Sequence, residues 1–183
     1  MNSRYPNAAA GMRLLFISQI LVIVGSLLLW VPFVGSLLAV AAAVLEILGI
    51  YKAGADDENY RGALLFAAAV LVVGVISGFV KSGFLANLLD VVSSILTLLM
   101  VYSVCNTTSN LLHSVGDEVL SERGQTVIKI FAVCTVVSIV CRVLGVIPII
   151  NIAAVLVSIV AAIALVVGYV MYLVFLDGSS KAL

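Results

Sequence analysis

The chain is predicted to be an all-α, polytopic transmembrane helical bundle. Its six spans form three hairpins, with both termini cytoplasmic. Three observations predict this class. Hydrophobic residues make up 64% of the 183 positions, and mean hydropathy is +1.32. Charged residues make up 10%, against about 25% in ordinary domains, so this much apolar surface has no soluble core to hide in. The apolar residues also come in runs long enough for a helix. A helix rises about 1.5 Å per residue and must cross about 30 Å of hydrocarbon.

The polar stretch MNSRYPNAAAGMR leads into the first run, LLFISQILVIVGSLLLW, at 14–30. That run is long and lacks a small-residue cleavage site near its end, so it is predicted to stay as a span rather than leave as a signal peptide. VPFVG turns the chain, and the second span runs from Gly35 to Lys52. The loop AGADDENYRG separates it from the third, at 63–80. Lys81, Ser82 and Gly83 mark a turn, and the fourth span covers 84–107. Residues 109–125, SNLLHSVGDEVLSERGQ, form the longest polar connection. Within it, Leu111, Leu112, Val115, Val119 and Leu120 predict a short amphipathic helix on the inner leaflet. The fifth span covers 126–145, GVIPIIN turns, and the sixth covers 150–176. The whole chain, 1–183, reads as one integral membrane domain with 109–125 as its interfacial connection.

Helix is the state these runs can adopt in lipid. Hydrocarbon offers backbone groups no partner, and the runs lack the alternation of a β-barrel. The many Val and Ile residues weaken helices in water, but the surroundings override that preference.

Basic residues set the orientation. With the N-terminus inside, Arg4, Arg13, Lys52, Arg61, Arg123, Lys129 and Lys181 fall at the inner side, and Lys81 alone in an outer turn. The positive-inside rule then puts both termini in the cytoplasm of a multi-pass cell-membrane protein. Trp30 suits an outer interfacial anchor, and Tyr51, Tyr169 and Tyr172 suit inner ones. Pro32 and Pro148 sit in matching turns of the first and last hairpins.

Ionisable groups inside spans are costly and point to function. Three are present: Glu46, Asp90 and Arg142. Glu46 shares a face with Gly35, Ala39, Ala42, Gly49 and Ala53, at the i+3 and i+4 spacings that bring side chains together. This small-residue face lets another helix approach closely and turns Glu46 towards protein. Glu46 is also six residues from Lys52, within reach of the inner interface. Arg142, beside Ser138 and Thr135, needs a partner or an outward reach. Asp90 matches its depth better than Glu46 does. The fourth span carries the most polar face, with Asp90, Ser94, Thr97, Val101, Cys105 and Thr108 in succession. Such a stripe either lines a solute path or ties helices together. Gly74 with Gly78, and Ala154 with Ser158 and Ala162, make two further small-residue faces. They are expected to pack internally, with a homo-oligomer or membrane partner subunit as the alternative.

The sequence argues against other classes. Net charge is zero, and nine scattered basic residues make no groove for nucleic acid. Cys105, Cys134 and Cys141 form no CxxC pair and read as small buried hydrophobes. No metal-ligand cluster, cofactor motif, Walker loop, HExxH or GxSxG appears. His113 is the lone histidine, and no Ser–His–acid set forms around it. The lead expectation is therefore a small membrane protein that handles a small solute or ion, alone or as a membrane subunit. Glu46, Asp90, Arg142, Ser94, Thr97 and Thr108 are its transport or gating candidates. The alternative is a non-transporting scaffold or regulatory subunit, with partners held by the small-residue faces and by 109–125.

Overall fold

The computed structural model describes residues 4–28, 33–80, 83–144 and 151–183, with backbone alone at 143–144 and 151–155. Trp30, Pro32, Lys81 and Pro148 lie outside the described residues. The helices are α1 (Pro6–Leu27), α2 (Val34–Ala53), α3 (Tyr60–Phe79), α4 (Phe84–Ser114), α5 (Glu118–Leu144) and α6 (Asn151–Ala182). All six are long and apolar enough to cross a membrane. The protein is a polytopic, six-span helical membrane protein.

Helix ends depart from the sequence expectation where polar caps extend a span. α1 starts at Pro6, not at residue 14. Proline suits the first turn, where its missing N–H costs nothing and its fixed φ is already helical. No neighbouring side chain caps this end. Asp56, from the loop between α2 and α3, does so instead. Its Oδ2 accepts from the Asn7 and Ala8 backbone N–H groups at 2.8 Å, and its Oδ1 accepts from Asn7 Nδ2 at 2.8 Å. A carboxylate at a helix N-terminus also meets the positive end of the helix dipole. Asp56→Ala is expected to lower stability by about 0.5–2 kcal/mol, the range for a lost N-cap. Denaturant unfolding in detergent measures this, and an unchanged midpoint would mean that water caps α1 equally well.

The expected separate helix within 109–125 is corrected by the structure. Residues 109–114 continue α4, and 118–125 begin α5. Val115–Asp117 alone turn the chain. Gly116 takes a φ of +88°, a left-handed conformation that closes many helices. Asp117 then caps α5, its Oδ1 accepting from Leu120 N at 3.0 Å. The leucines read as membrane-surface contacts serve the interior, since Leu111, Leu112 and Leu120 are all buried.

Each helix packs against the next, and α6 returns to α1. The Tyr5 N–H donates to the Leu183 carbonyl at 3.1 Å, so both ends of the chain meet at one end of the bundle. The largest fully buried side chains, among them Met12, Ile50, Tyr60, Val104, Phe131 and Phe175, gather in the half of the bundle near those ends. Towards the far end, Leu37, Val75, Leu85, Val160 and Ile163 are exposed. Lipid accommodates such side chains as well as a protein interior does, so nothing drives that half to close tightly.

Candidate functional site

Two series of small residues, spaced by seven, bring α1 and α2 into backbone contact. Gly11, Ser18 and Gly25 lie on α1, and Gly35, Ala42 and Gly49 on α2. All six are buried. They pair in antiparallel order. A Cβ added at Gly11 would meet the Gly49 carbonyl oxygen at 2.5 Å, and one at Gly25 would lie 3.6 Å from the Gly35 carbonyl oxygen. Between them, Ser18 Oγ donates to the Ala42 carbonyl at 2.8 Å. A period of seven keeps two helices side by side over many turns. Ala53 is buried on the same face, whereas Ala39 is exposed. The α1 half of this seam was legible in the sequence as the repeat at 11, 18 and 25, a signal weaker to the eye than a charged residue.

Glu46 sits at the edge of the seam and is half-buried. Its Oε1 accepts from Gln19 Nε2 at 3.0 Å. Gln19, next to Ser18, is itself buried. No lysine or arginine pairs with Glu46 among the described residues. Tyr169 and Tyr172 of α6 lie within electrostatic reach of the carboxylate. Glu46 thus faces the protein, with an uncharged amide as its hydrogen-bond donor.

Nearby, α3, α4 and α1 are joined through hydroxyls. Tyr60 Oη and Thr108 Oγ1 are 2.8 Å apart, and Thr108 Oγ1 donates to Met12 Sδ at 3.4 Å. Threonine has one hydroxyl proton. With that proton directed at the sulfur, Tyr60 is the donor to Thr108. The Tyr172 hydroxyl is buried without a hydrogen-bond partner among the described residues. Its ring makes an edge contact with Phe131, with centroids 6.0 Å apart.

The α4 stripe deepens along its length. Asp90 is exposed, Ser94 and Thr97 are half-buried, and Val101, Cys105 and Thr108 are buried. Ser94 Oγ donates to the Asp90 carbonyl at 2.8 Å, one turn back on the same helix. At the far end of the bundle, Arg142 Nη1 lies 3.4 Å from Asp90 Oδ2. These side chains are 50% and 59% exposed respectively. The structure therefore joins Arg142 to Asp90 and keeps Glu46 apart, on the α1–α2 seam.

The remaining small-residue faces are exposed at their described positions, where packing inside the chain was expected. A Cβ added at Gly74 or Gly78 would meet nothing within 4 Å among the described residues. Their face follows on from Ala63 and Ala67, which are buried. Seven residues beyond Ala67, about 10 Å farther along the helix, that face meets no atom of the described residues. On α6, Ser158 and Ala162 are exposed, while Ala161 turns inward. The Ala154 side chain lies outside the described residues. Cys105, Cys134 and Cys141 are free and buried. Among the described residues, no three His, Cys, Asp or Glu side chains gather as a metal site would need.

No protein-family model, curated protein or solved structure matches this chain.

Proposed function

We propose that this protein moves a proton or small cation across the cell membrane, with Glu46 as the group that takes up the charge. One observation carries this reading. Glu46 lies within a span and faces protein, yet its hydrogen-bond donor is the uncharged Gln19 amide. An ionised carboxylate there is costly unless a cation or a proton balances it. A basic side chain would do so permanently. A mobile ion does so in passing, which is what transport requires.

The other candidates take supporting roles in this reading. The Ser94, Thr97 and Thr108 hydroxyls of α4 line the route on the interior side. Asp90 and Arg142 form a clasp at the outer end, weak enough to open because both are half in solvent or lipid headgroups. The chain is a single integral membrane domain built as three hairpins, α1–α2, α3–α4 and α5–α6. The joined termini and their cluster of basic residues lie in the cytoplasm. Transport proceeds by alternating exposure of Glu46, without covalent chemistry. Purified protein in sealed vesicles should dissipate an imposed proton or monovalent-cation gradient, followed with an entrapped dye. Vesicles that hold the gradient as well as protein-free ones would overturn the proposal.

A second reading draws on the open face at Gly74 and Gly78. Two bare glycines one turn apart on a lipid-exposed helix suit close contact with a second copy or a membrane partner subunit. On this reading the protein is a scaffold or regulatory subunit, and vesicles show no flux.

A further inference from the structure

Consecutive helices pack least closely where α2 meets α3. A cavity of about 710 Å³ opens there, near the end of the bundle that carries the chain termini. Leu14 of α1, Leu48 of α2 and Leu64 of α3 form apolar walls, and Lys52 and Arg61 stand at its rim. The volume falls in the ordinary range for ligand sites, about 300–1,000 Å³.

The charges at the rim are available. Lys52 is exposed and makes no ion pair among the described residues. Arg61 pairs with Glu58 at 3.2 Å, but the two side chains are 72% and 79% exposed. Such a pair is weak and exchanges readily for a better anion. The nearby Asp56 carboxylate is already engaged by the start of α1. Guanidinium binds phosphate oxygens two at a time, and ammonium adds a point charge.

Depth decides what kind of anion fits. Leu48 lies one turn along α2 from Lys52, about 6 Å deeper into the apolar zone. Leu48 and Tyr51 line the cavity and are also exposed, so it opens sideways towards the bilayer. A free phosphate would leave these apolar walls uncovered. A molecule with an anionic head and a hydrocarbon chain fills both parts.

We propose that the α2–α3 cavity binds one anionic phospholipid from the leaflet on the side of the chain termini. Its phosphate rests between Lys52 and Arg61, and an acyl chain lies against Leu14, Leu48 and Leu64. Basic pockets between spans are a known way of holding such headgroups. The site is independent of ion movement at Glu46.

Native mass spectrometry of the detergent-purified protein tests this with three probes: phosphatidylglycerol, phosphatidylcholine and inorganic phosphate. Phosphatidylglycerol should be retained roughly thirty-fold better than phosphatidylcholine, as two interfacial cations would produce. Inorganic phosphate should not be retained. The double substitution Lys52→Gln with Arg61→Gln should bring phosphatidylglycerol down to the phosphatidylcholine level, with helix content unchanged by circular dichroism. Equal retention of the two lipids by the unsubstituted protein would overturn the proposal. So would phosphate binding as strong as that of phosphatidylglycerol, or a doubly substituted protein that keeps its preference.

Discussion

Gly11→Leu is expected to destabilise the bundle by at least about 2 kcal/mol, because the α1–α2 seam has no room for a side chain there. A Cβ at residue 11 would stand 2.5 Å from the Gly49 carbonyl oxygen, 2.9 Å from Ala53 Cβ and 3.0 Å from Ala53 N. Two of these are backbone atoms, so no change of rotamer relieves the clash. From the other side, a Cβ at Gly49 would meet the Gly11 carbonyl oxygen at 2.9 Å. Helix propensity pulls the opposite way, since replacing a helical glycine gains up to about 1 kcal/mol. Overpacking costs about 1–3 kcal/mol when neighbours can shift. Here two helix backbones must separate, which also stretches the Ser18–Ala42 and Gln19–Glu46 hydrogen bonds. The clash therefore wins. Reversible unfolding in mixed micelles measures it. Gly74→Leu provides the contrast: that site is open, so the change should cost nothing and gain up to about 1 kcal/mol of helix propensity. Equal losses at both sites would contradict the close approach of α1 and α2. If Gly74→Leu leaves the fold intact but dissolves an oligomer, α3 is an interface and the scaffold reading gains.

Glu46→Gln is expected to cut proton or cation flux in vesicles by at least about ten-fold, the factor that about 1.4 kcal/mol of barrier represents. Glutamine matches glutamate in size, and its carbonyl oxygen can still accept from Gln19 Nε2. The hydrogen bond across the seam survives and the charge does not. The substitution thus separates the proposed carrier role of Glu46 from its place in packing. Asp90→Asn should have a smaller effect, because the pair it breaks is half exposed and worth at most about 1 kcal/mol. A Glu46→Gln protein that folds and conducts like the original would remove the carboxylate from the proposed transport mechanism. A larger loss from Asp90→Asn would move the critical step to the end of the bundle far from the chain termini.

Individual residues show how far the sequence could be read. Pairing Arg142 with Asp90 needed only a comparison of depths, since lipid leaves few places for a charge to go. The partner of Glu46 was harder to see. Gln19 is polar but uncharged, and its distance from Glu46 depends on the register between two helices. The start of α1 was missed because its cap, Asp56, lies 49 residues away from Asn7. A local search for a capping side chain finds none. The polar segment 109–125 misled for a related reason. Its leucines have the spacing of a surface helix, yet the turn at Gly116 and Asp117 hands them to the cores of α4 and α5.

The number and placement of the six spans followed from sequence alone, because length and hydropathy are properties of each segment by itself. Which faces meet was decided by the folded chain. In water, a helix shows its buried side by being apolar on that side and polar on the other. In lipid, both sides are apolar, and no solvent penalty marks the side that will be covered. Gly11 opposite Gly49 and Gly74 facing open space look alike along the chain. Only the packing of one helix on another makes the first a tight contact and leaves the second bare.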